Sequence, residues 1–440
     1  MLGEFLAVGM LLGFFALLLL GVPVGITLAT SGLVFGFLGF GDGLFNLLPA
    51  RIYGVVANYQ WLAIPMFVFM GVMLEKSRLA EDLLDVVGHL AGGLRGGMAI
   101  GIVLVGVVLG ATTGIVGATV ITLGLLTLPA LLKRGYEPGI ACGAICASGT
   151  LGQIIPPSLV LILLSDIMQL SVGTLFAAAV MPGLLIAALY VLYIVVYGML
   201  RPNAMPPVPL AERQALPRRE LLARFARVVL PPALLIASVL GSIIGGVAAP
   251  TEAAAVGALG AIVVCALGGR LKLEVLRQTV QSTTKITAMV MFILICAQPF
   301  GLAFRGLHGE DLIADLFRLL PGGVNADIWF LMALVFVLGF FLEWIEISYI
   351  AVPLFLPIFR DAGVDPVWLA MLISVNLQTS FLTPPFGWAL FFLKGVAPPG
   401  VTTRHLYTGV LPFIALQATA LVLVFCFPKI ATWLPQAIGW

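Results

Sequence analysis

The sequence predicts an all-α polytopic membrane protein built from two inverted-topology repeats, each with a re-entrant hairpin and a broken helix. Three observations predict it: the apolar bulk of the chain, a set of motifs that recurs once at fixed spacing, and the placement of its lysines and arginines. Of 440 residues, 61% are hydrophobic and only 10% charged, where a soluble domain carries about a quarter charged residues. Apolar runs long enough to cross a bilayer recur along the chain. The first, Phe5 to Phe40, lacks a basic leader and a clear cleavage site, and reads as two retained spans turning near "GVPVG" (Gly21–Gly25). A net charge of +2 gives no basis for binding nucleic acid. The five cysteines all lie in apolar segments. Cys142 and Cys146 share a helix face at i, i+4 with no histidine near them, which reads as packing and not as a metal site.

The repeat shows in "LPALLKRGYEP" (Leu128–Pro138) and "LPIFRDAGVDP" (Leu356–Pro366), where Leu-Pro, Gly and Pro stand at the same spacing. Extended without a gap, that register lays Pro156-Pro157 on Pro384-Pro385. Upstream, "EDLL" from Glu81 echoes "EDLI" from Glu310, and Gly92 echoes Gly322. Duplication of this kind points to a transporter fold. The first repeat covers residues 1–200, with a hairpin at 98–132 and a broken helix at 139–165. The second covers 228–440, with a hairpin at 327–359 and a broken helix at 366–394. Between them, the proline- and arginine-rich stretch 201–227 reads as a flexible linker whose end lies along the membrane surface.

Spans near 5–21, 22–39, 60–74, 139–165 and 174–199 cross the membrane, while the hairpin returns to its own side. The odd number of crossings starts the second repeat on the opposite side, so the repeats are inverted. Charge placement tests this independently. With the linker cytoplasmic, the outer side keeps only Arg51, Arg305, Arg318, Arg360 and Lys429 of the 22 Lys and Arg. The remainder, including Arg78 and Arg213, fall on inner loops or in the linker. Both termini then face outward.

Helix chemistry fails at two places in each half: "GATTGIVGAT" (Gly110–Thr119) and "SGTLGQIIPPS" (Ser148–Ser158), then "LEWIEIS" (Leu342–Ser348) and "QTSFLTPPFG" (Gln378–Gly387). Proline removes a backbone donor and glycine weakens the helix, so tandem prolines flanked by Ser and Thr predict unwound segments. Carbonyls freed at membrane depth need partners. Together with hydroxyl oxygens they suit Na⁺, and half-helix N-termini beside them suit an anionic group. The plainer reading is a kinked packing helix, and repetition of the break in both halves favours the functional one. The expected Na⁺ ligands are Gly114, Gly117, Ser148, Gly149, Pro156, Glu343, Thr379, Ser380, Thr383 and Pro384. Thr379, Ser380 and Thr383 read as the second-half counterparts of Ser148, Gly149 and Thr150. Substrate contacts are expected from Ser148, Thr150, Gln153, Gln378 and Thr379, with helix cross-linking the alternative for both glutamines. Glu343 and Glu346 at the second hairpin tip suit either ion coupling or a helix-end anchor. Glu252 reads as a first-turn acid behind a Thr251 cap.

The motifs "GVPVG", "KRGYEP", "ASGTLGQIIPPS", "PTEAAAVG" and "LTPPFG" resemble those of the large membrane subunit of tripartite ATP-independent periplasmic (TRAP) transporters, over essentially the whole chain. The resemblance implies a scaffold and a mobile transport domain moving in elevator fashion in the bacterial inner membrane, Na⁺ as the coupling ion, and a small organic acid as substrate. It also implies two partners, a small membrane subunit and a periplasmic substrate-binding protein. The chain opens directly on a span, so the small subunit is expected as a separate chain. Glu343 and Glu346 depart from the family pattern, where many members carry aspartate. A stand-alone Na⁺- or H⁺-coupled carboxylate carrier is the alternative. An intramembrane enzyme is disfavoured: "GFGD" (Gly39–Asp42) has no "YD" partner, and HExxH, GxSxG and P-loop motifs are absent.

Overall fold

The computed structural model describes residues 2–77, 79–91, 93–113, 116–209, 218–318 and 321–440. Gly114, Arg78, Gly92 and Arg213 lie outside them. The first half runs α1 (Leu2–Leu19), α2 (Val24–Phe40), α3 (Gly43–Val56), α4 (Ala63–Lys76), α5 (Leu79–Ala91), α6 (Gly97–Thr113), α7 (Val116–Lys133), α8 (Pro138–Thr150), α9 (Leu159–Met168) and α10 (Val172–Leu200). The second runs α11 (Arg218–Ile244), α12 (Pro250–Leu267), α13 (Leu273–Gly306), α14 (Gly309–Arg318), α15 (Gly323–Leu338), α16 (Trp344–Asp361), α17 (Pro366–Leu382), α18 (Trp388–Val396), α19 (Thr403–Cys426) and α20 (Lys429–Ala437). Among the described residues, 7 helices are long and apolar enough to cross a membrane, or 8 if a bent pair counts as one span. The protein is a multi-pass membrane protein.

The duplication is visible in the elements. Helices α7 and α16 both have 18 residues, and they stand in the 228-residue register that also relates Thr150 to Gln378. Each ends at a glycine in left-handed backbone, Gly135 (φ +81) and Gly363 (φ +70). A proline then opens the next helix at its first position, Pro138 in α8 and Pro366 in α17. Glycine terminates a helix at positive φ without a Cβ clash, and proline needs no partner for the N–H it lacks at a helix start. That chemistry is what the shared Leu-Pro…Gly…Pro spacing encodes. Asp365 adds a cap in the second copy, accepting from the N–H groups of Val367 (2.8 Å) and Trp368 (3.2 Å).

The helix contacts fall into two groups. In the first, expected as the scaffold, α2 lies on α13 and α12 on α4, each half contributing to both pairs. In the second, expected as the mobile body, the halves are exchanged more deeply. Hairpin helix α7 packs on α18 of the second half, and α16 packs on α9 of the first, while α19 crosses α8. Small residues permit that last crossing: a Cβ on Gly143 would strike the Gly409 carbonyl, and one on Gly409 would strike the Gly139 carbonyl.

Arg51 lies in helix α3, bent by 44° from the helical segment that follows it. Two expectations change. The linker is not a free connector along residues 201–209, where Gly96 N–H donates to the Met205 carbonyl (3.2 Å) and Glu137 N–H to that of Ala204 (2.9 Å). Its far end, from Arg218, already belongs to α11, because Glu220 and Arg224 pair at i, i+4 (3.1 Å) and favour helix. Thr251 is not the cap of α12, since Pro250 takes the first helical position and Ala249 the cap. Glu252 does serve that helix end, accepting from the Ala249 N–H at 3.0 Å.

Candidate ion and substrate site

Helix α8 loses its regular form after Thr150. One 3-10 turn follows at Leu151–Gln153, and Pro156-Pro157, neither with an N–H to give, carry the chain to α9. Ser158 Oγ closes the break by donating to the Gln153 carbonyl (2.5 Å). In the second half α17 ends at Leu382, Thr383 turns extended (ψ 122°), and Pro384-Pro385 lead into α18. Each hairpin reaches its own half's break. A Cβ on Gly110 of α6 would run into the Gly152 backbone, and one on Gly339, just past α15, would strike Ser380. The hairpin helices thus meet the breaks at backbone contact.

Ser148, Thr150, Gln153, Gln378, Thr379 and Ser380 are all buried around these breaks. The hydroxyls make local bonds: Ser148 to the Ala144 carbonyl (2.5 Å), Thr150 to Ala147 (2.9 Å), Thr379 to Val375 (2.9 Å), Ser380 to Leu377 (2.7 Å) and Thr383 to Thr379 (2.8 Å). Each donates its one proton into its own helix, which leaves the oxygen lone pairs as acceptors. Such oxygens, with carbonyls at a break, form the donor set a hard cation takes. Gly149 packs on Val120 of α7, and Gly117 on Phe392 of α18, where a Cβ would come within 3.0 Å of the ring. Both hold hairpin and broken helices in close contact.

Symmetry pairs these residues differently from the sequence expectation. In the 228-residue register, Ser148, Gly149 and Thr150 stand opposite Asn376, Leu377 and Gln378. Thr379, Ser380 and Thr383 stand opposite Leu151, Gly152 and Ile155, because α17 runs on where α8 has already unwound. Asn376 Nδ2 donates to the Met332 carbonyl of α15 at 2.6 Å. Gln378 meets its own symmetry mate: its Nε2 donates to Thr150 Oγ1 at 3.4 Å, and Gln417 Nε2 of α19 donates to the same oxygen at 3.5 Å. Here the cross-linking role of Gln378 is realised, although its Oε1 is buried without a partner, as is that of Gln417. Gln153 is different. It is 2% exposed, and neither its Oε1 nor its Nε2 has a hydrogen-bond partner.

At the second tip, Glu346 Oε2 accepts from the Glu343 N–H at 2.6 Å, so Glu346 anchors the start of α16. Glu343 occupies the cap position itself. Sequence reasoning missed Gln417, Asn376 and Ser348, the last buried with an unpartnered Oγ. A lone amide in the apolar run "FIALQATALVLVF" (Phe413–Phe425) was the available signal for Gln417.

Residues 11–430 match the sequence model of the family described as "Tripartite ATP-independent periplasmic transporter, DctM component". The chain is 32% identical over 401 residues to the C4-dicarboxylate TRAP transporter large permease protein DctM of Pseudomonas aeruginosa, covering 89% of this chain and 90% of that one. It is 28% identical over 438 residues to the sialic acid TRAP transporter large permease protein SiaM of Vibrio cholerae, covering 98% of each. The solved structure of the Alcanivorax borkumensis YdaH transporter shares the fold, with a TM-score of 0.64, 17% identity, and coverage of 97% and 99% of the two chains. By family match and identity alike, this chain is a large permease subunit of the TRAP transporter family, the DctM component.

Proposed function

We propose that the chain carries a small organic acid into the cell, coupled to Na⁺, from the bacterial inner membrane, with its linker cytoplasmic and both termini periplasmic. A periplasmic binding protein delivers the substrate, and a separate small membrane subunit completes the permease. The observation that carries this reading is Gln153: a buried amide with both polar atoms unpartnered, set in the break where the 3-10 turn packs on α6 and touches α7, α9, α10 and α17. A buried amide left so costs free energy, and a substrate polar group would satisfy it. Ser148, Gly149, Thr379, Ser380, Thr383, Glu343 and the carbonyls near Pro156 and Pro384 supply oxygens for Na⁺. The stretches Ser148–Ser158 and Gln378–Gly387 contain no lysine or arginine, so the positive charge facing the acid comes from bound Na⁺ and from the N-termini of α9 and α18.

Sliding of the mobile body as an elevator is supported by the character of its track. Helix α4 packs on α6 with Phe67, Val68 and Leu74 among its buried residues, and apolar surface shifts without stranding polar groups. Side-chain hydrogen bonds cross between the bodies near both ends of that track, Asn58 Nδ2 to Asp166 Oδ1 (2.8 Å) and Thr122 Oγ1 to Glu75 Oε1 (3.4 Å). The test is uptake of radiolabelled organic acids, succinate and sialic acid among them, by proteoliposomes holding this chain, its small subunit and its binding protein. Uptake driven by an inward Na⁺ gradient and dependent on the binding protein is the expected result. Uptake by the chain alone would establish the stand-alone carrier, and uptake indifferent to Na⁺ would end the ion-site reading.

A further inference from the structure

A cleft of about 190 Å³ opens among α3, α9, α13 and α16. Arg51 of α3 and Arg305 of α13 line it from the scaffold, Asp166 from the end of α9, and Tyr349 from hairpin helix α16. Two of these groups are committed. Asp166 Oδ1 accepts from Asn58, and Arg305 Nε pairs with Glu310 Oε1 at 2.9 Å. The other two are not. Arg51 has no ion pair or hydrogen bond among the described residues, and the Tyr349 hydroxyl is buried without a partner.

What the cleft offers is therefore donors: the guanidinium fork and a phenolic O–H. Glu310 offsets Arg305, so among the charged groups lining the cleft Arg51 is the cation left without a partner. A planar fork beside a single extra donor matches a carboxylate, which a guanidinium grips through two parallel hydrogen bonds. The space equals roughly six water molecules at about 30 Å³ each, enough for a small organic acid.

We propose that this cleft is a binding site for a small carboxylate, separate from the broken helices, with Arg51 as the charge partner and Tyr349 Oη donating a further bond. Arg51 belongs to the scaffold and Tyr349 to the hairpin, so a bound carboxylate bridges the two bodies. Its occupancy is thereby linked to their relative position. The site follows from the cleft alone and stands whether or not transport is Na⁺-coupled.

Gly301 supplies the probe position, since it lines the cleft and a Cβ there meets nothing within 4 Å. The purified full chain carries Gly301→Cys with the exposed Cys426 replaced by serine. Its labelling is followed with the anionic sulfonatoethyl and the cationic trimethylammonioethyl methanethiosulfonates. Sodium propanoate is then compared with sodium chloride at equal ionic strength. Propanoate is expected to slow labelling where chloride does not. Arg51→Gln should abolish that protection and lower the anionic-to-cationic rate ratio, whereas Arg51→Lys keeps the ratio. Tyr349→Phe should weaken protection about tenfold, the worth of one hydrogen bond to a charged group, with the ratio unchanged. Equal protection by chloride, no protection, or protection that survives Arg51→Gln overturns the proposal. If Arg51→Gln does not elute as a single symmetric species, Tyr349→Phe, which removes only an oxygen, decides it.

Discussion

Thr150→Val separates a shared polar contact from ordinary packing where α8, α17 and α19 meet. Valine keeps the shape of threonine and removes one oxygen. That oxygen accepts from Gln378 Nε2 at 3.4 Å and from Gln417 Nε2 at 3.5 Å, and all three residues are fully buried. The change therefore orphans two amide donors at once. A buried donor left unsatisfied costs about 1–3 kcal/mol, and the long distances place each loss at the low end, for a total of about 2 kcal/mol. Gln378→Leu and Gln417→Leu each remove one donor and leave Thr150 paired with the other, so each should cost less, about 0.6 kcal/mol, as interhelical bonds in membranes typically do. Reversible unfolding in mixed micelles of rising SDS fraction measures all three on one scale. The expected order is Thr150→Val as the most destabilising, with the two glutamine variants similar to each other. In the double variant Gln378→Leu/Gln417→Leu, adding Thr150→Val should cost almost nothing further, because no donor remains to orphan. If Thr150→Val is the mildest of the three, or its cost persists in that background, the shared-acceptor argument is wrong.

At the breaks, Ser148→Ala and Ser380→Ala should each raise the Na⁺ concentration for half-maximal uptake several-fold while leaving the folded yield intact, because each removes one oxygen and no core volume; a Na⁺ titration of uptake checks this. Gly152→Ala places a methyl against the Gly110 backbone and should destabilise by about 1–3 kcal/mol, the usual cost of overpacking, read by the same SDS unfolding. At the second tip, Glu346→Gln keeps an acceptor for the Glu343 N–H and should preserve stability. Glu346→Ala should lose about 1 kcal/mol, the worth of a helix-start cap. Equal behaviour of the two would deny the cap.

What the sequence disclosed follows from which interactions are local. Proline and glycine act on their own backbone, so the Leu-Pro…Gly…Pro spacing announced both the end of α7 and the start of α8, and again α16 and α17, before any packing was known. The tandem prolines likewise marked both breaks. Partners chosen across the bundle left no such mark. Gln417 is 267 residues from the Thr150 oxygen it donates to, and nothing in its own neighbourhood specifies that acceptor. The same holds for the symmetry pairing. Reading hydroxyl against hydroxyl matched Thr383 with Thr150, but the register set by the prolines matches Thr150 with Gln378, and only the fold brings those two into contact. A pseudo-two-fold axis brings equivalent residues together only where it passes through them, so a direct bond between Thr150 and Gln378 locates that axis. The two breaks then lie on either side of it, each capped by its own half's hairpin and packed against the other half's. A substrate reaching Gln153 on one side and Na⁺ held by Ser380 on the other would sit in one rigid unit, tied at the axis by a single threonine oxygen. That is why the unfolding order of the Thr150 variants bears on coupling as well as on stability: loosening the tie should uncouple ion from substrate before it unfolds the chain, seen as a falling ratio of Na⁺ to acid transported in Thr150→Val. An unchanged ratio alongside the expected loss of stability would restrict that oxygen to a structural role.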